Sequence, residues 1–255
     1  MRGLKGRVVI VTGAGSGIGR AIALRLAEEQ MKVAVLDLNA DAAAATVAAI
    51  SEGGGVAAAE TCDICDYSAV QHAVAIVEER LGPVHTLVNN AGWDTPMPFL
   101  KTSPDFWSKV VAINFLGPIN VTHAVVGRMV KRNSGRVIFI ASDAGRVGSS
   151  GEVVYSGCKG ATVAFSKALA REVARNNVLL NCLCPGPTNT PAMDAFVGTG
   201  EQGQKIRDAM VRGVPLGRIG ESTDYPGLVA FLASDDAAFM TGQTISVSGG
   251  LTMHG

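Results

Sequence analysis

The sequence lacks the excess of basic residues that is typical of nucleic-acid-binding and membrane-surface proteins, and it contains few aromatic residues. Lysine plus arginine and aspartate plus glutamate both total 22 of 255 residues, so there is no basic excess for a phosphate backbone or a lipid surface. Aromatic residues make up only 5%, which argues against a surface that stacks single-stranded bases. We therefore expect no nucleic-acid partner and no membrane partner.

Cysteine and long apolar runs are also scarce. Five cysteines is an odd number for a disulfide framework, and no apolar run of signal-peptide length precedes the first glycine-rich segment. The stretch 110–127 contains Asn114, Pro118 and Asn120, and we expect it to be too polar to span a bilayer. These absences predict a soluble cytoplasmic protein.

Glycine is abundant, with 31 residues in a chain that is 47% apolar, and that apolar content excludes a disordered protein. Short apolar runs alternate with helical segments. The predicted strands are 8–11, 33–36, 56–61, 84–88, 136–141, 178–183 and 244–247. The predicted helices are 18–29, 41–51, 67–81, 153–176 and 223–234, with another that begins after Ser103-Pro104. This alternation indicates one α/β domain over 1–255, a doubly wound parallel sheet whose ligands bind at the carboxyl ends of the strands.

Residues 185–215 interrupt the alternation. They contain four prolines and show little periodicity. A long irregular segment in such a position is typical of a mobile lid or a disordered excursion. We assign 187–212 as a lid over the edge of the sheet.

A glycine-rich segment, Thr12-Gly-Ala-Gly-Ser-Gly-Ile-Gly19, joins the first strand to the first helix. The spacing does not fit G-x-G-x-x-G but does fit G-x-x-x-G-x-G, with Gly13, Gly17 and Gly19. Glycines let backbone N–H groups approach a pyrophosphate, and the N-terminus of a helix favours its charge. A glycine-rich turn without a ligand is the alternative interpretation.

Asp37 ends the second predicted strand. A carboxylate there accepts hydrogen bonds from the ribose hydroxyls of NAD and repels the 2′-phosphate of NADP. Leu38 stands where an arginine would neutralise that phosphate, and 12–19 contain no basic residue. The expected cofactor is NAD, although an aspartate at this place also suits a helix N-cap. Asp63 after the third strand is a candidate for the adenine amino group, and Asn90, Ala91 and Gly92 leave room for a cofactor to cross the sheet edge.

Ser142, Tyr155 and Lys159 carry the strongest chemical signal. Ser142 ends the fifth strand, and Tyr155 and Lys159 are four residues apart near the start of a helix, so they share one face. Lowering the pKa of a tyrosine from about 10 to about 7 requires roughly 4 kcal/mol of preferential stabilisation of the tyrosinate. An ammonium group and a cationic nicotinamide ring supply stabilisation of that kind. Ser142 can hold a substrate oxygen. On its own, such a Tyr–Lys pair is more often an ordinary helix face.

With these motifs the chain resembles the classical short-chain dehydrogenase/reductases over essentially its whole length. The motifs stand in order: T-G-x-x-x-G-x-G, N-N-A-G, a serine before Y-x-x-x-K, and Pro185-Gly186. The resemblance implies a Rossmann-like seven-stranded sheet of order 3-2-1-4-5-6-7, tyrosine-dependent hydride transfer, and a homotetramer. It adds Asn114 as a fourth catalytic residue that holds a water leading to Lys159. The cofactor-binding residues are then expected to be Gly13, Ser16, Gly17, Ile18, Gly19, Asp37, Leu38, Cys62, Asp63, Ile64, Asn90, Ala91, Gly92, Tyr155, Lys159, Pro185, Gly186, Thr188 and Thr190.

A narrower resemblance concerns the substrate. Several segments, among them Asn90–Asp94 and Arg146–Glu152, resemble the members of the family that oxidise 2-hydroxycyclohexanecarboxyl-CoA, a ring alcohol on an alicyclic acyl-CoA formed in aromatic-acid breakdown. We expect Trp93 to reach over the nicotinamide and pack against a saturated ring. The expected substrate residues are Trp93, Asp94, Ser142, Ala144, Arg146, Glu152 and Tyr155. Four basic residues of the lid and its flank are candidates for the phosphates of CoA, with ordinary solvated charges as the alternative: Lys205, Arg207, Arg212 and Arg218.

Other functions and sites are less well supported. A general alicyclic or aryl secondary-alcohol dehydrogenase and a 3-oxoacyl-thioester reductase are the enzyme alternatives, and Asp37 argues against the second because biosynthetic reductases generally use NADPH. A cofactor-binding sensor without chemistry is disfavoured by the complete catalytic set. Cys62 and Cys65 have the C-x-x-C spacing, but no second pair or histidine pattern accompanies them, so we expect buried thiols and no metal.

Overall fold

The computed structural model of the chain describes residues 1–198 and 200–253, so Thr199 of the predicted lid and the last two residues lie outside the described residues. The main sheet has seven strands, which are Val8–Thr12 (β1), Lys32–Asp37 (β2), Val56–Thr61 (β3), Val84–Asn89 (β4), Gly135–Ile140 (β5), Val178–Pro185 (β6) and Thr244–Val247 (β7). Neighbouring strands pair in parallel in the order β3-β2-β1-β4-β5-β6-β7. The predicted doubly wound sheet and its strand order are confirmed.

Helices connect these strands and cover both faces of the sheet. They are Gly17–Glu28 (α1), Ala40–Glu52 (α2), Tyr67–Leu81 (α3), Pro104–Val111 (α4), Gly117–Arg132 (α5), Ala144–Val147 (α6), Val153–Val173 (α7), Pro191–Val197 (α8), Glu201–Gly213 (α9) and Pro226–Ala233 (α10). A turn of π-helix, Ala112–Leu116, joins α4 to α5, and a short parallel ribbon pairs Thr188–Asn189 with Gly220–Glu221.

The core lies on both faces of the sheet because alternate residues of a strand point to opposite sides. In β1, which is buried throughout, Val8 and Ile10 join an apolar cluster with residues of α3 and α5. Val9 and Val11 join a second cluster with residues of α1 and α10. Coverage of both faces of the sheet therefore explains the continuous apolar run of this strand. With both faces covered by helices, the carboxyl edge of the sheet is the part that remains for a binding site.

The segment 185–215 is not the irregular excursion expected from its composition. It contains α8 and α9, and its prolines stand where helices tolerate them or outside the helices. Pro191 is in the first turn of α8, where the missing N–H has no intrahelical partner to lose, and the Thr190 side chain caps that turn by accepting a hydrogen bond from the Met193 N–H at 3.2 Å. The expectation of an irregular segment was wrong because proline content was taken as evidence against helix without regard to position.

The helical stretch Pro104–Arg132 is long and apolar enough, by length and composition alone, to cross a membrane. The polar residues noted in the stretch 110–127 therefore do not by themselves exclude a span by composition. Core helices pass the same test, and 44% of the apolar window is buried inside the protein. Val121, Val125 and Met129 are fully buried in the cluster that covers the sheet, so the apolar character of this helix is explained by packing.

Candidate active site

The glycine-rich loop follows β1 directly and leads into α1. Its backbone is packed so closely that side chains do not fit. A Cβ atom on Gly19 would stand 2.2 Å from the Gly13 carbonyl oxygen and 2.4 Å from Asn90 Nδ2. The N-cap residue of α1, Ser16, makes no side-chain capping hydrogen bond, and the first turn contains no acidic residue. The first-turn N–H groups therefore face the carboxyl edge of the sheet without a side-chain cap, and they fit an anion such as a pyrophosphate.

Replacing Gly19 tests this loop. We expect Gly19→Ala to lower the midpoint of thermal unfolding, because overpacking of backbone against backbone costs about 1–3 kcal/mol, and to abolish nicotinamide-cofactor binding measured by calorimetry. The matched control is Gly127→Ala in α5, where nothing lies within 4 Å of the added Cβ. That control is expected to gain slightly in stability, since alanine is a better helix former. Normal cofactor affinity in Gly19→Ala would show that the loop is not the binding cradle.

Asp37 stands at the end of β2 beside this loop. Its Oδ2 accepts a hydrogen bond from the Gly15 N–H at 2.8 Å, and its Oδ1 accepts one from the Asn39 N–H at 2.9 Å. The helix N-cap alternative for Asp37 was wrong, because Asn39 caps α2 by accepting from the Ala42 N–H. Leu38 is 70% exposed at the same edge. The carboxylate is fixed in place and keeps acceptor capacity on both oxygens.

The turn after β4 braces the glycine loop. Asn90 Nδ2 donates to the carbonyl oxygens of Thr12 and Gly13 at 3.0 and 3.1 Å, and Thr12 Oγ1 accepts from the N–H groups of Asn90 and Ala91 at 3.0 Å. Two strand ends that are far apart in the chain are thereby joined. The small side chains of this turn were predicted to leave space for a cofactor, and the structure shows that Asn90 is also a structural tie between β1 and β4.

The residues predicted to flank the adenine pocket lie after β3. Cys62 and Ile64 are buried, whereas Asp63 is exposed and its Oδ1 accepts a hydrogen bond from the Cys65 N–H at 2.8 Å. Burial raises the pKa of the Cys62 and Cys65 thiols to about 11, so they stay protonated near neutral pH. Among residues 1–198 and 200–253, no group of three or more His, Cys, Asp or Glu side chains is placed to hold a metal ion.

Asn114 lies in the π-helical turn and is fully buried. Its Nδ2 donates to the carbonyl oxygens of Trp93 and Val110 at 2.6 and 2.9 Å, and its Oδ1 accepts from the Trp93 N–H at 3.1 Å. A Cβ on Gly92 would stand 2.9 Å from Asn114 Oδ1 and 3.5 Å from Lys159 Nζ, so both groups border the same small space. The π turn was not predicted. Insertions of this kind are frequent at functional sites, but nothing in the apolar periodicity marks this one.

Tyr155 and Lys159 lie on one face of α7, as the spacing predicted. The Lys159 ammonium is 5.4 Å from the centre of the Tyr155 ring and donates to the Ile140 carbonyl oxygen at 3.0 Å. Burial lowers the pKa of Lys159 to about 8. The pKa of Tyr155 is raised, first by burial and then by the negative charge of Glu152, while a hydrogen bond with Ser142 acts in the opposite direction. In the chain alone, the balance at Tyr155 is therefore opposite to the lowering that catalysis requires.

Ser142 and α6 are held tightly against α7. Ser142 Oγ accepts a hydrogen bond from the Ala144 N–H at 3.1 Å, so the loop after β5 folds back on its first residue. A Cβ on Gly145 would stand 2.6 Å from the Lys159 carbonyl carbon and 2.7 Å from the Gly160 nitrogen. Direct backbone contact between α6 and α7 thus fixes Ser142 relative to Tyr155 and Lys159.

A small cleft is formed in part by residues 151–154, which directly precede Tyr155 in the chain, and it brings together two of the predicted substrate residues, Asp94 and Glu152. It is also lined by Met97, Phe99, Thr102 and Phe106, which were not predicted from the sequence. These residues follow β4, and the rule that ligands collect at the carboxyl ends of strands is the signal that would have found them. The Trp93 ring packs on Phe106 at 5.9 Å between centroids, with Lys109 Nζ 3.9 Å from its centre. The structure therefore places Trp93 against α4.

Arg146 and the basic residues of the lid have other contacts. Arg146 Nη1 donates to Ser246 Oγ of β7 at 2.7 Å, and that hydroxyl donates in turn to the buried Asp143. Arg207 pairs with Asp194 and so links α9 to α8, and Arg218 pairs with Asp224 at 2.7 Å. Lys205 and Arg212 are exposed. For Arg207 and Arg218, the structure thus shows partners within the chain.

The segment predicted to touch the nicotinamide amide connects β6 to α8. Gly186 packs on Ser248, where a Cβ would stand 2.8 Å from the serine Cβ. The buried Thr188 donates its hydroxyl to, or accepts from, the Tyr225 hydroxyl, a contact between distant positions that no sequence signal indicated. A Cβ on Gly17 would lie 3.7 Å from Thr190 Cγ2, so the start of the predicted lid is next to the glycine loop. Pro185 ends β6 at the same edge.

Comparison with known proteins identifies the family. A family model described as enoyl-(acyl carrier protein) reductase matches residues 13–252. Acetoacetyl-CoA reductase of Shinella zoogloeoides is 38% identical over 96% of this chain and 98% of its own length. The (2S)-[(R)-hydroxy(phenyl)methyl]succinyl-CoA dehydrogenase subunit BbsD of Thauera aromatica is 35% identical over 98% of each chain. The chain belongs to the short-chain dehydrogenase/reductase family.

Solved structures agree with this assignment. NAD⁺-bound xylitol dehydrogenase superposes with a TM-score of 0.92 at 34% identity, covering 98% of this chain and 100% of the other. A variant of actinorhodin polyketide ketoreductase with NADPH superposes with a TM-score of 0.91 at 34% identity, covering 98% and 99%. The short-chain dehydrogenase/reductase fold binds a nicotinamide cofactor, and the protein is an oxidoreductase of this family. The resemblance drawn from the motifs is confirmed.

Proposed function

We propose that the protein is an NAD-dependent dehydrogenase that oxidises a secondary alcohol to a ketone, reversibly, on the ring of an alicyclic acyl-CoA such as 2-hydroxycyclohexanecarboxyl-CoA. The observation that carries the chemistry is the grouping of Tyr155, Lys159 and Ser142 at the carboxyl edge of the sheet, with Asn114 buried beside the same space. An uncapped helix N-terminus and a fixed acidic residue lie along the same edge.

The residues present fit a dinucleotide cofactor. The N–H groups of Gly17, Ile18 and Gly19 at the start of α1, next to Ser16, would hold the pyrophosphate, and Asp37 would accept from the adenosine ribose. Lys159 would contact the second ribose, while Pro185, Gly186, Thr188 and Thr190 would border the nicotinamide amide. A bound NAD supplies the hydride acceptor and a positive charge that favours the tyrosinate.

The side chains of the chain handle the proton. Tyr155 takes the proton of the substrate hydroxyl as general base and returns it in the reverse direction. Ser142, which acts to lower the pKa of Tyr155, holds the reacting oxygen. Lys159, buried behind Tyr155, stabilises the tyrosinate, and Asn114 holds a water that connects Lys159 to solvent. Removing bulk water strengthens each of these electrostatic contributions.

The substrate class is supported by the cleft and by the relatives. At about 10 Å³ the cleft is too small to enclose a ring as it stands, but its apolar side chains Phe99, Phe106 and Met97 offer surface for a ring to pack against. Burial of such area favours a bulky group over a short chain. Both relatives act, by name, on CoA thioesters. The substrate in the name of the second relative carries a phenyl group beside its hydroxyl group. A 3-oxoacyl-thioester reductase is the second candidate function, and the similarity of the chain to acetoacetyl-CoA reductase favours it. Asp37 at the end of β2 favours NAD and therefore the oxidative reaction.

We further propose a cytoplasmic homotetramer, as is usual in the family. Phe239 is fully exposed and Met253 is 77% exposed, which fits burial of the C-terminal region against another subunit. We expect the C-terminal segment 248–255 to lie in a subunit interface, and its last two residues lie outside the described ones.

A spectrophotometric screen tests the proposed function. Purified protein is mixed with NAD or NADP and with secondary alcohols, hydroxyacyl-CoA esters and the corresponding free alcohols. We expect reduction of NAD with ring-containing hydroxyacyl thioesters as the best substrates. Equal efficiency with the simple ring alcohol and the thioester would favour the general secondary-alcohol dehydrogenase. No hydride transfer with any of them would favour a sensor.

A further inference from the structure

The cleft beside Tyr155 combines apolar side chains with two carboxyl groups, Asp94 and Glu152. Asp94 lies on the segment after β4, and Glu152 is the residue before α7, so the two come from opposite walls. Among the described residues that line the cleft, none is basic. A substrate that packs against this lining therefore meets negative charge without a neutralising partner in the lining.

The Asp94 carboxylate is half-buried, and one of its oxygens is not hydrogen-bonded to any described residue. Its Oδ2 is buried and has no hydrogen-bond partner among the described residues. Burial and the nearby Glu152 raise the pKa of Asp94 to about 6, so it is mainly ionised at pH 8. Both carboxylates are close enough to Tyr155 to raise its pKa, so both act on the point where the substrate hydroxyl must stand.

The cations nearby are engaged elsewhere. Lys159 donates to the Ile140 carbonyl oxygen, Lys109 lies over the Trp93 ring, and Arg146 donates to Ser246. These cations keep their charge, but none of them lines the cleft, where the formal charges among the described lining residues are those of Asp94 and Glu152.

We propose that Asp94 and Glu152 are specificity-determining residues that exclude free carboxylates, so that the enzyme accepts hydroxy acids only when the acid is masked as an uncharged thioester. This inference rests on the proposed function and specifies its substrate class. In a 2- or 3-hydroxy acid, only one or two carbon–carbon bonds separate the carboxyl carbon from the carbinol carbon. Its carboxylate would therefore lie close to Asp94 and Glu152, where like charges repel in a partly desolvated space. A thioester carbonyl in the same place has no charge.

This selection is separate from recognition of the CoA tail. A CoA-binding surface would distinguish a CoA ester from a short thioester, whereas the two carboxylates would distinguish any uncharged thioester from the free acid. The test therefore uses 2-hydroxycyclohexanecarboxylic acid in three forms, the CoA ester, the N-acetylcysteamine ester and the free acid, at pH 8 with saturating NAD.

We expect wild-type kcat/KM for the N-acetylcysteamine ester to exceed that for the free acid by roughly ten-fold or more, the size of a modest like-charge penalty. Asp94→Asn and Glu152→Gln should each narrow this ratio several-fold, and the double variant further. The ratio of kcat/KM for the two substrates is taken within each variant. Any change in the basicity of Tyr155 therefore cancels, because both substrates react through this residue. Glu52→Gln, which neutralises an exposed carboxylate at the end of α2, is the matched control and should leave the ratio unchanged.

An unchanged ratio in the double variant, or a wild-type enzyme that uses the free acid as well as the short thioester, would overturn the inference. Preference for a cationic aminomethyl analogue of the ring alcohol would overturn the assigned substrate class. Should the variants fail to fold, the wild-type enzyme provides the test. Raising the ionic strength should increase its kcat/KM for the free acid relative to that for the N-acetylcysteamine ester, because salt screens the repulsion between carboxylates. Failure of the proposed function looks different: no form of the substrate, and no ring alcohol, would then reduce NAD.

Discussion

Tyr155→Phe is expected to reduce hydride transfer by about a thousand-fold or more while leaving NAD binding measurable. The phenol supplies the proton transfer, a contribution of roughly 10²–10⁴ in rate, but little of the contact with the cofactor. Rapid-mixing measurement of NADH formation gives the first quantity, and calorimetric titration with NAD gives the second. In the wild type, oxidation should accelerate as pH rises, because the deprotonated tyrosine is the active form and its pKa in the chain alone lies above the usual value.

Lys159→Ala is the companion variant, and it should impair both steps. Lys159 is buried beside Tyr155, so its loss removes the positive charge near the tyrosinate together with the expected ribose contact. Substantial residual turnover in Tyr155→Phe would contradict the assignment of the base. A Lys159→Ala enzyme that binds NAD normally would contradict the ribose contact alone.

The second large effect concerns cofactor choice. Wild-type enzyme should prefer NAD over NADP by roughly a hundred-fold or more in kcat/KM. With NADP, Asp37 would repel the 2′-phosphate and would lose its charge-assisted hydrogen bonds to the ribose hydroxyls, which are worth about 1.5–3 kcal/mol each. Asp37→Ser should narrow that preference by lowering efficiency with NAD and raising it with NADP. The comparison is made with one alcohol substrate at fixed pH.

Asp41→Ser is a suitable control, because Asp41 is exposed in the first turn of α2, close in sequence but beyond the strand end. It should leave the preference unchanged. Wild-type protein that uses both cofactors equally well would refute the assignment of Asp37.

The sequence predicted the frame of the site well for a physical reason. Strand runs such as Val8–Val11 are apolar on both faces, and glycines such as Gly19 occupy positions that no side chain could fill, so composition and spacing report directly on geometry. Strand order could not be derived from periodicity alone, and it came from the resemblance to the family. The topology then followed, including the placement of Tyr155 and Lys159 on one helix face.

The substrate side of the site was harder to predict. Arg146 as a substrate residue stays a prediction, but its hydrogen bond to Ser246, one hundred positions later in the chain, could not be predicted, because such a long-range contact leaves no local pattern in the sequence. The helix α8 was missed because Pro191 stands in its first turn, where proline is tolerated despite its average preference against helices. The helix α9 contains no proline and was missed with it, because the whole segment was expected to be irregular. The π turn that carries Asn114 adds one residue to a helix whose apolar pattern looks continuous.

The backbone contact between Gly145 and α7 has a consequence for how this enzyme can diverge. Because α6 and α7 touch without an intervening side chain, no substitution at position 145 can alter the spacing between the serine loop and the catalytic helix without disturbing both. We therefore expect substrate preference to change more readily through the segment from 93 to 106, which contributes the other wall of the cleft. A lineage can exchange one ring-shaped substrate for another there while its proton-transfer apparatus stays the same.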